Sequence, residues 1–235
     1  MEQEILVPTS LNEVTLEQYQ AFMRVVDQTD DELFIAQKMV SLFCKIQLSQ
    51  VMRVRKTDIT DIVRKFTELL SKDYPLTRQF ELGGKKFGFI TNIEEMSFGE
   101  YVDLEGNIGD WETMNKAMAV MYRPIVSESG EKYLIEPYES TINYSEVMRY
   151  APLDVVFGAM VFFYRLSSEL LTATLSYLEE ALVEMSIHPK VSSMLSGGGI
   201  IQYMHSLREM SDALTLLHRY PSFSVLQGSH TKTKE

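Results

Sequence analysis

The stretch "DLEGNIGDWE", residues 103–112, places Asp103, Glu105, Asn107 and Asp110 close together in the chain. Oxygen donors spaced by two residues are what a calcium loop offers a hard cation. Such a loop takes donors at positions 1, 3 and 5, glycine at 6 and a bidentate glutamate at 12. Counted from Asp103, Glu105 and Asn107 keep that spacing, but Gly106 comes fourth, Ile108 sixth and Met114 twelfth. The turn glycine and the closing carboxylate are therefore both missing. The same residues have a plainer reading, in which Gly106 and Asn107 end one helix, Asp110 caps the next and Glu112 lies in its first turn. Asp103, Glu105, Asn107 and Asp110 stand as the metal-ligand candidates against that helix-to-helix turn.

Other chemistry is sparser still. Glu184 and His188 are four apart and could share a metal, while His205, His218 and His230 show no ligand spacing. "SGGG" (196–199) before a helix could hold an anion on backbone amides, but the strand and the Lys-Ser/Thr pair of a phosphate loop are lacking, so a hinge is expected. Cys44 sits in an apolar run with no histidine nearby, and no serine occupies a Gly-x-Ser-x-Gly elbow. No catalytic residue and no cofactor are expected. A small metal-dependent enzyme using these acids, or Glu184 and His188, is the rival from another class.

Composition narrows the partners. With 33 acidic and 22 basic residues the net charge is −11, which opposes direct contact with nucleic acid. A single cysteine fits a reducing compartment. The start, "MEQEILVPTS", lacks the order of a secretion signal, and the most apolar window, "VVFGAMVFFY", is half a membrane span. No membrane is expected.

The elements that would carry these residues are mostly helical. "TLEQ" (15–18) has the form of a capping box and opens a helix to about Gln28; "TDDE" (29–32) repeats the signal for a nearly all-apolar second helix. A third helix is expected from Thr57 to about Ser71, and "SFGE" (97–100) caps a short one. Two alternating runs flank Gly83 and Gly84, predicting a β-hairpin over about 79–90. A second hairpin is expected at about 123–136, turning at Ser127–Gly130, and a long helix after Pro152. The expectation is a mainly α fold with one or two small hairpins. It comprises a helical domain over 1–188, a Gly-hinged C-terminal helix over 189–220 and a flexible tail over 221–235.

Two features suggest surfaces. The sequence "YRP" forces an extended exit at the residue before Pro124, and so Arg123 is expected as an anchor pairing with an acid of its own domain, with partner contact as the other reading. Phe162 and Phe163 lie on a helix apolar over more than half its circumference, so they belong either to the core or to an interface.

The segments "GKKFGFITNIEEMSFGEYVDLE" (84–105), "MAVMYRPI" (118–125), "YLIEPYES" (133–140) and "VVFGAMVFFYRLSSELL" (155–171) follow in an order that resembles tailed-bacteriophage tail assembly chaperones and baseplate hub assembly proteins. The resemblance spans roughly 13–183. It includes Gly88, Phe89, Gly99, Glu100, Tyr101 and Asp103, then Tyr122, Arg123 and Pro124, then Gly158, Phe162 and Phe163. It implies structural anchors at Gly99, Arg123, Pro124 and Gly158, and no catalytic residues. It also implies a virion-assembly role in the host cytoplasm, by binding other phage structural proteins or identical subunits. A permanent virion component (baseplate, neck or internal protein) is the alternative within the same setting.

Overall fold

The computed structural model describes residues 5–92, 95–130 and 132–186. The helical start is built as the capping signals imply. Helix α1 is Leu16–Gln28, and the Thr15 hydroxyl accepts from the Gln18 backbone N–H. Helix α2 is Glu32–Phe43, but its cap is Asp31 alone, whose carboxylate accepts from the N–H groups of Leu33 and Phe34. After Phe43 the chain leaves the helix through Lys45 at φ 55, and the Ile46 N–H returns to the Ser41 carbonyl. A short α3 (Leu48–Val51) and the amphipathic α4 (Lys56–Leu70) follow.

These helices share an aromatic core. Phe22 lies 5.3 Å from Phe43, and Phe43 lies 5.0 Å from Phe66, both edge-on. Tyr19, Trp111 and Phe157 form a second group at 4.6–5.7 Å. Tilted and edge-on pairs at such spacing put the positive ring edge against a negative face.

Strands β1 (Gln79–Leu82) and β2 (Lys85–Phe89) form the first hairpin. Its turn residues Gly83 and Gly84 have φ of 58° and 75°, the left-handed pair that a two-residue turn between twisted strands needs. Helices α5 (Phe98–Ile108) and α6 (Met114–Met121) intervene before β3 (Tyr122–Ser129) and β4 (Lys132–Ile135). Strand β2 then pairs with β3, setting Gly88 opposite Arg123 and Phe89 opposite Tyr122. The result is one antiparallel sheet in the order β1-β2-β3-β4.

That pairing corrects the expected fold class. The two hairpins are not accessories on a mainly α domain. The described residues are 56% helical and 14% strand, with eight helices beside the four-stranded sheet, so the fold is mixed α/β. The β2–β3 contact joins residues separated by two helices, and hydrophobic periodicity carries no signal for such a closure.

One side of the sheet is aromatic: Phe80, Phe87, Phe89 and Tyr122 make contacts at 5.1–5.8 Å. The other side carries Gly88, Arg123 and Tyr133. The chain then passes through a four-residue helix α7 (Ser145–Met148) into α8 (Leu153–Ser186). The segment before α8 docks on the start of α1, where the N–H groups of Leu16 and Glu17 donate to the carbonyls of Ala151 and Arg149. Two otherwise orphaned donors of the first turn are thereby satisfied.

Among the described residues, one compact unit runs to Ala159 and a second begins at Met160. Phe162 and Phe163 belong to the second, half-buried and buried respectively, with rings 5.6 Å apart. His188, and with it the Glu184–His188 pair, the SGGG hinge, the C-terminal helix and the tail lie outside the described residues. No described helix is long and apolar enough to cross a membrane.

Candidate interaction site on helix α5

Helix α5 owes its start to Ser97. The Ser97 hydroxyl accepts from the Glu100 N–H at 3.3 Å, and Glu100 Oε2 accepts from the Ser97 N–H at 2.7 Å. The other Glu100 oxygen pairs with Arg123 Nη2 at 2.7 Å, and both side chains are only 9% exposed. One carboxylate therefore serves as capping residue and as counter-ion. Arg123 reaches it because Pro124 continues the extended strand that begins at Tyr122. Its guanidinium also lies 5.7 Å from the centre of the Tyr138 ring. The Tyr138 hydroxyl in turn donates to the Asp103 carboxylate, one turn along α5 from Glu100. Burial, then that hydrogen bond and the Asp103 charge, push the Tyr138 hydroxyl well above the usual tyrosine range.

The consequence is a helix facing the reverse of the usual way. Glu100, Asp103 and Leu104 sit at helical spacing on the inward side. Phe98, Tyr101 and Val102 share the outward side and are 81%, 52% and 47% exposed. Amphipathic helices normally turn their apolar stripe to the core and their charges to water. Here the Glu100–Arg123 pair and the Tyr138–Asp103 hydrogen bond hold the acidic side down.

This geometry also decides where the metal-ligand candidates lie. Asp103, Glu105 and Asn107 are all within α5, and residues two apart on a helix point to nearly opposite sides. Asp103 is taken by Tyr138, and Glu105 is exposed. Asn107 Nδ2 donates to the Asp103 carbonyl at 2.6 Å. Asp110, beyond the helix, accepts from the Glu112 N–H at 2.9 Å. Among the described residues no group of three or more His, Cys, Asp or Glu is gathered to hold a metal. Cys44 is buried, and burial pushes its thiol up to about 11.

The structural anchors differ in what they do. Gly158 lets α8 pass against the Pro75–Leu76 backbone, since a Cβ there would come within 2.3 Å of the Pro75 carbonyl oxygen. At Gly99 a Cβ would meet only Tyr138, at an ordinary 3.9 Å, so space does not require glycine there. Glu100 and Tyr138 were not singled out as site residues. The available signal was the capping box itself, which occupies one carboxylate oxygen and leaves the second open to a cation.

Comparisons with protein-family models, with curated proteins and with solved structures each found no match.

Proposed function

We propose that this chain is a bacteriophage assembly protein, a tail or baseplate assembly chaperone, that works in the host cytoplasm by binding other virion polypeptides and performs no reaction. The observation carrying this reading is the reversed α5, which presents Phe98, Tyr101 and Val102 to solvent from a helix held by its acids. Exposed aromatic and aliphatic side chains one turn apart on a helix are of the kind that form the core of a protein interface. Covering an aggregation-prone surface of a tail component would bury that patch on both partners. The phage setting comes from the resemblance of residues 84–105, 118–125, 133–140 and 155–171 to tail assembly proteins.

The test is affinity capture from cells producing late phage proteins, using the wild-type chain and the Phe98→Glu/Val102→Glu variant. Both positions are exposed, and Phe98 is the first helical residue, where an added carboxylate suits the helix N-terminus. A virion structural protein is expected on the wild type and reduced at least about tenfold on the variant, a loss of about 1.4 kcal/mol. Equal capture would remove α5 as the interface, and capture of no virion protein would remove the reading. Mass spectrometry of purified virions completes the test: a chaperone is absent or trace there, whereas a stoichiometric amount makes the chain a permanent component.

A further inference from the structure

Phe98, Tyr101, Val102 and Glu105 are exposed and stand at helical spacing on α5, within roughly 100° of one another around its axis. Three of them are apolar, and their surroundings in the chain are acidic. Residues 87–115 hold seven carboxylates and no Lys, Arg or His, the longest run in the chain without a basic residue. Of those carboxylates, Glu100, Asp103 and Glu112 are engaged by Arg123, Tyr138 and Arg24. Glu95, three residues before Phe98, and Glu105, three after Val102, are exposed and bracket the apolar residues. The carbonyl end of α5 adds partial negative charge, and its last turn carries no basic residue. Arg123, which lies beneath the helix, is buried and already paired with Glu100.

A second observation concerns space. Gly99 and Gly106 are seven residues apart, on one shoulder of the same stripe. Glycine within a helix is destabilising relative to alanine. Yet the interior requires it at neither position. Among the described residues nothing lies within 4 Å of a Cβ at Gly106, and at Gly99 only Tyr138 does, at 3.9 Å. Side chains at a contact set how near two helix axes come, so a bare shoulder admits a close neighbour.

Together these features select one kind of occupant. Apolar residues at i, i+3 and i+4 match the anchors of an amphipathic helix, and acids at both ends of the stripe call for cations. A second copy of the chain is a poorer match, because two net charges of −11 repel.

We propose that the outward side of α5 takes an amphipathic, basic helix of a partner polypeptide. Its apolar side chains cover Phe98, Tyr101 and Val102, and its lysines or arginines face Glu95 and Glu105. This inference deepens the protein-binding reading above and rests on α5 being the surface used.

The probe is a fluorescent, terminally blocked peptide of about eighteen residues, long enough to be helical alone, with leucines on one face and lysines beside them. It is titrated onto the full chain and followed by anisotropy. Comparators carry glutamate in place of lysine, or a central proline that breaks the helix. Both should bind at least about tenfold more weakly, and the Phe98→Gln/Val102→Gln chain should lose as much toward the lysine peptide. The Glu95→Lys/Glu105→Lys chain should bind it at least about fivefold more weakly, a difference that added salt shrinks. Gly106→Leu, which fills the open shoulder, should weaken binding by a similar factor. All five substituted residues are exposed, and a melting temperature no lower than wild type confirms that each variant is folded.

No binding of the lysine peptide, equal binding of either comparator, or full binding by the Glu95→Lys/Glu105→Lys or Gly106→Leu chain would each overturn the proposal. So would self-association in sedimentation that Phe98→Gln/Val102→Gln abolishes, since the occupant would then be a second copy. Capture of a virion protein that is lost with Phe98→Glu/Val102→Glu, yet indifferent to Glu95→Lys/Glu105→Lys, would sink this inference and leave α5 standing as the binding surface.

Discussion

At the scale of single residues, Glu100 decides how α5 sits. Its carboxylate accepts from the Ser97 N–H with one oxygen and from Arg123 with the other, at 2.7 Å in both cases. Removing one partner of a buried pair leaves an uncompensated charge, whereas removing both charges costs less. Arg123→Met should therefore destabilise the chain by about 3–5 kcal/mol. Glu100→Gln added to it should recover part of that loss, because the amide oxygen still accepts from Ser97. Urea titrations of the two single variants and the double variant give the coupling directly. If the double variant lost the sum of the singles, the two residues would not act as a pair. Among the described residues Arg123 Nε has no hydrogen-bond partner, and contact with the Tyr138 ring offsets that only in part.

At the scale of elements, glycine substitutions should have opposite signs according to what surrounds each position. Gly158 faces the Pro75 carbonyl at 2.3 Å from where a Cβ would stand, and backbone cannot rotate away as a side chain can. Gly158→Ala should destabilise by about 1–3 kcal/mol. Gly106 lies inside α5 with nothing within 4 Å of a Cβ, so Gly106→Ala should stabilise by about 0.5–1 kcal/mol through helix propensity alone. Thermal melts of the two variants check both signs, and shifts in the same direction would contradict the packing argument. Local signals made the helices and hairpins readable. Thr15-x-x-Gln18, Ser97-x-x-Glu100 and Gly83-Gly84 each act within a few residues of themselves, and each is found where it was expected. The break expected near Gly106–Gly109 falls at the end of that range: α5 runs through Gly106 and Asn107 to Ile108, and Gly109 is its C-cap. What lay out of reach were contacts between distant segments: β2 on β3, Glu100 with Arg123, Tyr138 on Asp103. Nothing in a window of one element's length distinguishes those partners from others of the same type.

At the scale of the whole molecule, burial sets how the fold responds to alkali. Burial holds the Tyr122 hydroxyl well above the usual tyrosine range, with the charges of Tyr133 and Asp154 adding to the effect, and that hydroxyl donates to the Thr77 carbonyl at 2.6 Å. Hydrogen bonding to Glu136, then burial, raises Tyr144 to about 12, and burial raises Cys44 to about 11. All three pKa values are higher in the folded chain than the ordinary 10.0 for tyrosine and 9.0 for cysteine. Above those ordinary values the unfolded chain has released protons that the folded chain still holds. The stability these groups contribute is therefore complete below pH 9 and is lost as pH rises, for Cys44 through about 11 and for Tyr144 through about 12. Buried Tyr122 and Cys44 each lower stability by up to about 1.4 kcal/mol per pH unit within their windows, and Tyr144, nearer to solvent, by less. Urea midpoints measured from pH 7 to 11 should therefore fall above pH 9. Tyr122→Phe, less stable at pH 7 by roughly one hydrogen bond, about 1 kcal/mol, should lose stability less steeply above pH 10 than the wild type does. Parallel slopes for the two proteins would mean that Tyr122 titrates alike in both states, which a hydroxyl buried against Thr77 and ringed by Phe80 and Phe89 does not do.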